Sequence, residues 1–373
     1  MATAPPPPTE SGRGGGIAAS RPGRAAGGTG LSLRPLQVTW EMTGACEWRI
    51  SPTRLGRLPQ NKRELSTAEA FHLIQQVAVL HVPLFVLTGG DPLLRPDVFP
   101  IVEFASRHSV RTSMTLAPTS LLDAGVIAEL KARGLMRAAF WLNGSTAALH
   151  DASIRVPGTH RRTLEMIGAC HEAGLAVQVN TMISRRNHQD LEPLAEMLAR
   201  LDIMLWNVFF LVPPDGNSTQ ELLNAVEHEE AFGKVYAASR RVSFQVKTSE
   251  GQHYQRYLLQ QRVKESRGRL REPDVMTRAQ KGVNESRSVI FINREGYVYP
   301  SRYLPLPAGN VCESPLEEIF HESELLNSLR DTSLLKGKCG QCPVRNLCGG
   351  SRARAYALTG DLFAEDPCCA YQP

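Results

Sequence analysis

The stretch LFVLTGGDPLLRPD (residues 84–97) carries a short apolar, β-rich run into a glycine pair, an acid and a proline. Two residues without side chains let backbone groups approach a ligand closely, and the carboxylate of Asp91 could accept bonds from an ammonium group. Taken alone, the segment is a strand-ending turn. Working outward from it, further β-rich runs lie at 36–40, 111–116, 137–142, 176–182 and 205–212. Helical patterns fill the gaps at 66–80, 96–108, 122–133, 160–174 and 189–201, and another follows at 219–240. The first of these helices opens with Ser66-Thr67-Ala68-Glu69, the pattern of a capping box. Six strands alternating with helices imply parallel pairing through right-handed crossovers. Such a series closes into a full or partial barrel, or lies open as a doubly wound sheet. In either case the ligand site falls beyond the C-terminal ends of the strands, so the residues after each strand are the candidates for chemistry.

Composition sets the outer limits. Of 373 residues, 42% are hydrophobic and 21% charged, an ordinary globular balance. No run approaches about 18 apolar residues, so no membrane-spanning helix is expected. The net charge is +5, and the first 34 residues carry much of it through Arg13, Arg21, Arg24 and Arg34. The remainder is nearly neutral, which gives no basis for a nucleic-acid partner. Residues 1–34 are rich in Pro, Gly, Ala and Ser and are expected to form a disordered tail. The rhythm breaks after about 242, and residues 246–285, largely polar and charged, read as a linker. Residues 289–292 and 297–299, separated by Asn293-Arg294-Glu295-Gly296, read as a β-hairpin. The expected organisation is therefore a tail (1–34), a barrel (35–245), a linker (246–285) and a small C-terminal domain (286–373).

Five of the eight cysteines fall in the last 35 residues. The chain is too long, and its cysteines too clustered, for a secreted disulfide framework. A reducing cytosol is the expected compartment, and metal chemistry the expected use of the cluster. Cys339-x2-Cys342-x5-Cys348, with Cys369 twenty-one residues later, supplies four thiolates, which suit either a [4Fe–4S] cluster or tetrahedral zinc. Cys170 lies in a helical pattern and reads as core, and Cys312 as an isolated thiol. His150, His160 and His253 read as structural or surface residues.

Together, Thr43-Gly44-Ala45-Cys46 after the first strand, the 84–97 segment, Trp141-Leu142-Asn143-Gly144-Ser145, Val179-Asn180-Thr181 and the end CGGSRARAYALTGD (348–361) resemble the radical SAM superfamily. The likeness runs from about residue 36 to the end and is strongest to the branch bearing a C-terminal SPASM or twitch domain, which includes haem-forming decarboxylases and peptide-modifying enzymes. It implies an α/β fold, a partial (β/α)6 TIM-like barrel with a small cysteine-rich C-terminal domain. It implies an S-adenosylmethionine pocket at Thr88, Gly89, Gly90, Asp91, Asn143 and Asn180. It also favours iron–sulfur over zinc at Cys339, Cys342, Cys348 and Cys369, with the final Asp-Pro-x-Cys-x-Tyr singling out Cys369 over its neighbour Cys368.

In that family a Cys-x3-Cys-x2-Cys loop holds the primary [4Fe–4S] cluster, which cleaves S-adenosylmethionine to a 5′-deoxyadenosyl radical. Here only Cys46 is kept, and the other two positions are Ile50 and Thr53. Isoleucine has no lone pair and threonine is a poor iron ligand beside thiolate. The family's Leu-Asp-Gly-Ser is Leu142-Asn143-Gly144-Ser145, the arginine after the sixth strand is missing from 213–217, and Arg155 is displaced by one position. Three readings follow. In the first, the chain is a degenerate member that retains the auxiliary cluster and serves as a biosynthetic partner of an active enzyme or performs non-radical chemistry. In the second, it is an active enzyme with unusual ligation, Cys46 being joined by Glu47 or a partner's cysteines, acting on a peptide, porphyrin or other small molecule. In the third, it is a zinc-binding scaffold.

Overall fold

The computed structural model describes residues 34–47, 63–213, 219–267 and 289–373. The expected tail up to residue 33, Ile50, Thr53 and residues 214–217 lie outside the described residues. The six expected strands are present as β1 (Gln37–Glu41), β2 (Phe85–Thr88), β3 (Thr112–Thr115), β4 (Arg137–Trp141), β5 (Ala176–Ile183) and β6 (Leu205–Phe210). They pair in parallel in sequence order. That order decides between the two architectures left open above. A doubly wound sheet reverses its strand order at a switch point. An unreversed order with right-handed crossovers puts every helix on one face, the geometry of a barrel wall.

Alternation along the strands builds the two faces. In β1, Val38 and Trp40 are fully buried and join the core, while Gln37 and Thr39 between them are half-buried on the other face. The outer layer is α1 (Thr67–Val79), α2 (Val98–Arg107), α3 (Ala124–Ala132), α4 (Ala147–Ile154), α5 (Thr159–Glu172), α6 (Leu191–Ala199) and α7 (Ala225–Ser239). Helix α1 starts where its sequence says, with Ser66 and Glu69 capping each other, and buries Ala70, Leu73, Ile74 and Val77. Each large aliphatic side chain buried this way contributes roughly 1.5–3 kcal/mol.

The expected linker is a correction. Its first half contains β7 (Gln245–Ser249), parallel to β6, and α8 (Tyr254–Glu265). Strand β7 lies at the end of the sheet, with Gln245 and Lys247 exposed, so it shows no apolar period. Helix α8 buries only Tyr254, Arg256 and Leu259. The expected start of a separate domain is altered as well. The hairpin of β8 (Val289–Ile292) and β9 (Tyr297–Tyr299) forms as read, but β8 pairs in parallel with β1, and β10 (Gly309–Asn310) follows on β9. One ten-stranded sheet results, in the order β10-β9-β8-β1-β2-β3-β4-β5-β6-β7. The chain then runs through α9 (Leu316–Glu322), α10 (Glu324–Arg330), α11 (Gly337–Gln341) and α12 (Arg352–Thr359). Among the described residues no helix is long and apolar enough to cross a membrane.

Candidate metal centre

At the C-terminal ends of β1 and β2, two loops lie on each other. Met42 N–H donates to the Thr88 carbonyl (2.7 Å), Gly90 N–H to Thr43 (2.9 Å) and Asp91 N–H to Ala45 (2.7 Å). A Cβ on Gly90 would stand 2.1 Å from the Ala45 oxygen, and one on Gly89, whose φ is +150°, would stand 2.5 Å from the Thr43 oxygen. The glycine pair thus makes room for the Cys46 loop packed across it. Asp91 serves the turn as well. Its fully buried carboxylate accepts from Leu93 N–H (3.1 Å) and the Thr119 hydroxyl (2.7 Å), capping the short turn that follows. Burial pushes this carboxyl up, and both oxygens are committed to the scaffold.

Thr88 is buried, and its part in these contacts is the carbonyl that receives Met42. Asn143 is fully engaged: its N–H donates to His150 Nδ1 (3.0 Å), its amide to Ser153 (2.9 Å), and its Oδ1 accepts from Met182 N–H (2.8 Å). Asn180 accepts from Gln178 (2.6 Å) and shares a sheet row with Trp141 and Asn207. The loop after Glu47 is pinned where it returns: Glu64 accepts from the Thr43 hydroxyl (2.9 Å) and Gly44 N–H (2.8 Å), and Leu65 N–H donates to Arg294 (2.8 Å). Cys46 is half-buried here and Glu47 accepts from Ser120 (3.0 Å).

The C-terminal cysteines are brought together. Cys339, Cys342, Cys348 and Cys369 line one cavity, partly open to solvent. Each sulfur receives a backbone N–H: Asp366 to Cys339 (3.4 Å), Gly350 to Cys348 (3.4 Å), Val344 to Cys342 and Tyr371 to Cys369. Burial pushes all four thiols up, Cys348 most, against the N–H donors and the nearby arginines, which favour the thiolate. Arg256, Lys338 and Arg345 line the same cavity, and Arg352 reaches Cys339 at 3.9 Å. Gly349 and Gly350 both have φ of +67°, and a Cβ on Gly350 would meet Asp366 Cβ at 2.8 Å.

A buried ion pair holds this shell. Asp366 takes Arg354 Nε (3.0 Å) and one Nη (2.7 Å), plus the backbone N–H of Ser351 (2.9 Å) and Cys368 (3.1 Å). Burial works against its charge, but the Arg354 guanidinium outweighs that and holds the carboxyl well below the usual range. Arg354 also donates to the Glu250 carbonyl (2.8 Å), tying the cysteine segment to the end of β7. Cys368 turns the other way and donates to the Leu223 carbonyl (3.4 Å), so the adjacent Cys369 is the one in the shell. Cys312 is exposed and Cys170 buried within α5.

The four cysteines share the walls of that one cavity. Among the described residues, no three His, Cys, Asp or Glu side chains stand close enough to hold one metal ion. A tetrahedral zinc needs sulfurs at about 2.3 Å from a common centre. A cube of iron and sulfide fills a cavity between thiolates and is stabilised by N–H donors to its sulfurs, so this donor set fits [4Fe–4S] better than zinc.

The sequence reading missed Arg256, Arg354 and Glu250 as parts of this site, all on or near elements it left as linker or unassigned. His253, expected to be structural or on the surface, is fully buried and lines the cysteine cavity. The Asp-Pro-x-Cys-x-Tyr pattern was the one available sign of Asp366 and Tyr371.

Residues 45–198 match the radical SAM superfamily. The chain is 34% identical over 349 residues to the AdoMet-dependent heme synthase of Methanosarcina barkeri, covering 92% of this chain and 98% of that protein. It is 33% identical over 344 residues to the AdoMet-dependent heme synthase of Nitratidesulfovibrio vulgaris, with 90% and 92% covered. Among solved structures, Streptococcus suis SuiB bound to S-adenosylmethionine aligns with a TM-score of 0.69 at 13% identity over 91% of this chain and 78% of that one. Native anSMEcpe with bound AdoMet aligns with a TM-score of 0.66 at 13% identity, over 90% and 94%. At these identities the two structures speak to the fold alone.

Proposed function

Because the chain belongs to the radical SAM superfamily, whose members use [4Fe–4S] clusters and S-adenosylmethionine, we propose that it is a member that keeps the barrel and one auxiliary cluster but builds no primary cluster. On this reading it does not cleave S-adenosylmethionine reductively, and serves as a biosynthetic partner beside an active enzyme or performs non-radical chemistry. The observation that carries the reading is the inequality of the two thiol sets. Cys46 stands with Ile50 and Thr53 at the other two ligand positions, while four thiols with four N–H donors line one cavity at the other end of the chain. Cys339, Cys342, Cys348 and Cys369 are the residues that would hold the auxiliary cluster, which supplies a redox-active centre when bound. Arg354 and Asp366 hold that shell in place.

The relatives' names and the barrel wall support a porphyrin as the substrate class. Two relatives at a third identity are haem synthases. Trp141 and Phe209, with ring centroids 5.0 Å apart, and Met182 are half-buried on adjoining strands, a surface suited to a flat conjugated molecule such as a porphyrin. A peptide is the other class represented, through the PqqA peptide cyclases and SuiB bound to its precursor peptide. A reducing cytosol suits both the thiols and such a pathway.

Anaerobic reconstitution followed by iron and sulfide analysis tests the reading. About four irons per chain are expected, all lost in Cys339→Ala and Cys342→Ala variants. About eight irons, or 5′-deoxyadenosine produced from S-adenosylmethionine under dithionite, would overturn it.

A further inference from the structure

The cysteine cavity is lined by one charged donor whose hydrogen bonding is incomplete. Arg256, on the first turn of α8, is only 4% exposed. One of its Nη groups donates to Glu229 of α7 (3.2 Å) and to Gln260 (2.7 Å), and the other pairs with the second Glu229 oxygen. The Tyr371 ring lies 5.4 Å from its Cζ. The guanidinium plane is therefore fixed from several sides, yet its buried Nε–H has no acceptor. A buried charged donor left without a partner is costly and rare. It lies close enough to Cys342, Cys348 and Cys369 to interact with each electrostatically.

The neighbouring groups do not account for it. The Asp366 carboxylate already receives four N–H groups. His253 packs at 5.1 Å on the His228 ring and lies 3.7 Å from that saturated carboxylate, forming a wall of the cavity. Arg256 lines the cavity together with the four cysteine sulfurs and with His253, whose two buried ring nitrogens are likewise without a partner.

We propose that Arg256 is the outer hydrogen-bond donor of the auxiliary cluster, bonding cluster sulfur through Nε–H and raising the cluster's reduction potential. This rests on the ligand reading given above. Reduction adds negative charge to a group that is already anionic, so a fixed cation and an N–H donor stabilise the reduced form more than the oxidised one. Lysine could supply the charge but not the planar, pre-oriented donor.

The test is an EPR-monitored redox titration of the reconstituted full-length protein and its Arg256→Lys, Arg256→Met and Glu229→Gln variants, with iron counted in each. Both Arg256 variants are expected to titrate at a more negative potential than wild type, Met further than Lys. Glu229→Gln breaks the ion pair but keeps the Nε–H and is expected to stay near wild type. Wild-type protein labelled with 15N-arginine is expected to show a weak nitrogen coupling to the reduced cluster, a readout that holds even where a variant loses iron. Loaded Arg256 variants at the wild-type potential, an equal shift in Glu229→Gln, or no arginine coupling would each overturn the proposal while leaving the cluster assignment standing. A wild-type chain that binds no iron at all would overturn both.

Discussion

At the barrel mouth, Cys46 rides on a loop tied by three backbone hydrogen bonds to the turn after β2, with Glu64 bonded back to Thr43 and Gly44. At the C-terminal end, four cysteines each receive an N–H, and a buried Arg354–Asp366 pair braces the segments that carry them. Both regions are pinned by hydrogen bonds among their described residues, but of the three family ligand positions at the front only Cys46 is a cysteine, whereas four thiols line the cavity at the C-terminal end. The difference teaches that scaffold and chemistry are separable. Among the described residues, the hydrogen bonds that tie the front loop to its neighbours are made by main-chain atoms, Thr43 and Glu64. The thiol shell is itself the lining of its cavity, so losing a ligand there opens the structure as well as the chemistry.

That contrast can be broken in several places. The largest effect is expected from Cys348→Ser, which takes iron from about four per chain to near zero and bleaches the visible absorbance. Retention of colour would mean that the shell is not built as described. Next, the double change Ile50→Cys and Thr53→Cys is expected to raise iron from about four to about eight per chain, because it restores the thiolates that cluster binding demands. An unchanged iron count would show that the front loop lacks more than sulfur.

Asp366→Asn leaves Arg354 buried without its counter-charge and is expected to cost roughly 3–5 kcal/mol in chemical denaturation, with weakened iron retention. The pH dependence follows the same pair. The folded-state pKa of Asp366 is depressed, so its contribution is complete above the unfolded value of about 4 and is lost only as pH falls through the lower folded value. Acid titration of the unfolding free energy, compared with Asp366→Asn, checks this. Gly90→Ala drives a Cβ to 2.1 Å from the Ala45 oxygen and is expected to cost roughly 1–3 kcal/mol with iron content unchanged, since it disturbs only the front. Cys368→Ser is expected to change stability by less than about 1 kcal/mol, and iron not at all, because that thiol donates to Leu223 away from the cavity. Iron loss there would exchange the roles of the two adjacent cysteines.

Much of this was legible in the order of residues. The strand and helix periods between 36 and 240 carry the parallel alternation, since buried strands and amphipathic helices must show their apolar faces at fixed intervals. The capping pair Ser66–Glu69 and the hairpin at 289–299 are local devices, readable because their partners lie within a few positions. Strand β7 and helix α8 were not legible. An edge strand with exposed Gln245 and Lys247, and a helix whose buried side chains include an arginine, carry no apolar period to detect. The glycine pair at 89–90 was visible, but its reason was not, because the group it makes room for is another loop.

The sequence by itself determined which atoms are available: five thiols at the C-terminal end, one at the front, and a strand–helix rhythm that must stack in parallel. The tertiary structure alone decided how they are used. It turned Cys368 towards the Leu223 carbonyl, made part of the expected linker into the helix that supplies Arg256, and gave the Asp91 carboxylate Leu93 and Thr119 as donors. The reason is physical. A spacing limits how far apart two side chains can be, whereas the direction each one faces, and what remains unpaired beside it, depend on segments a hundred or more residues away.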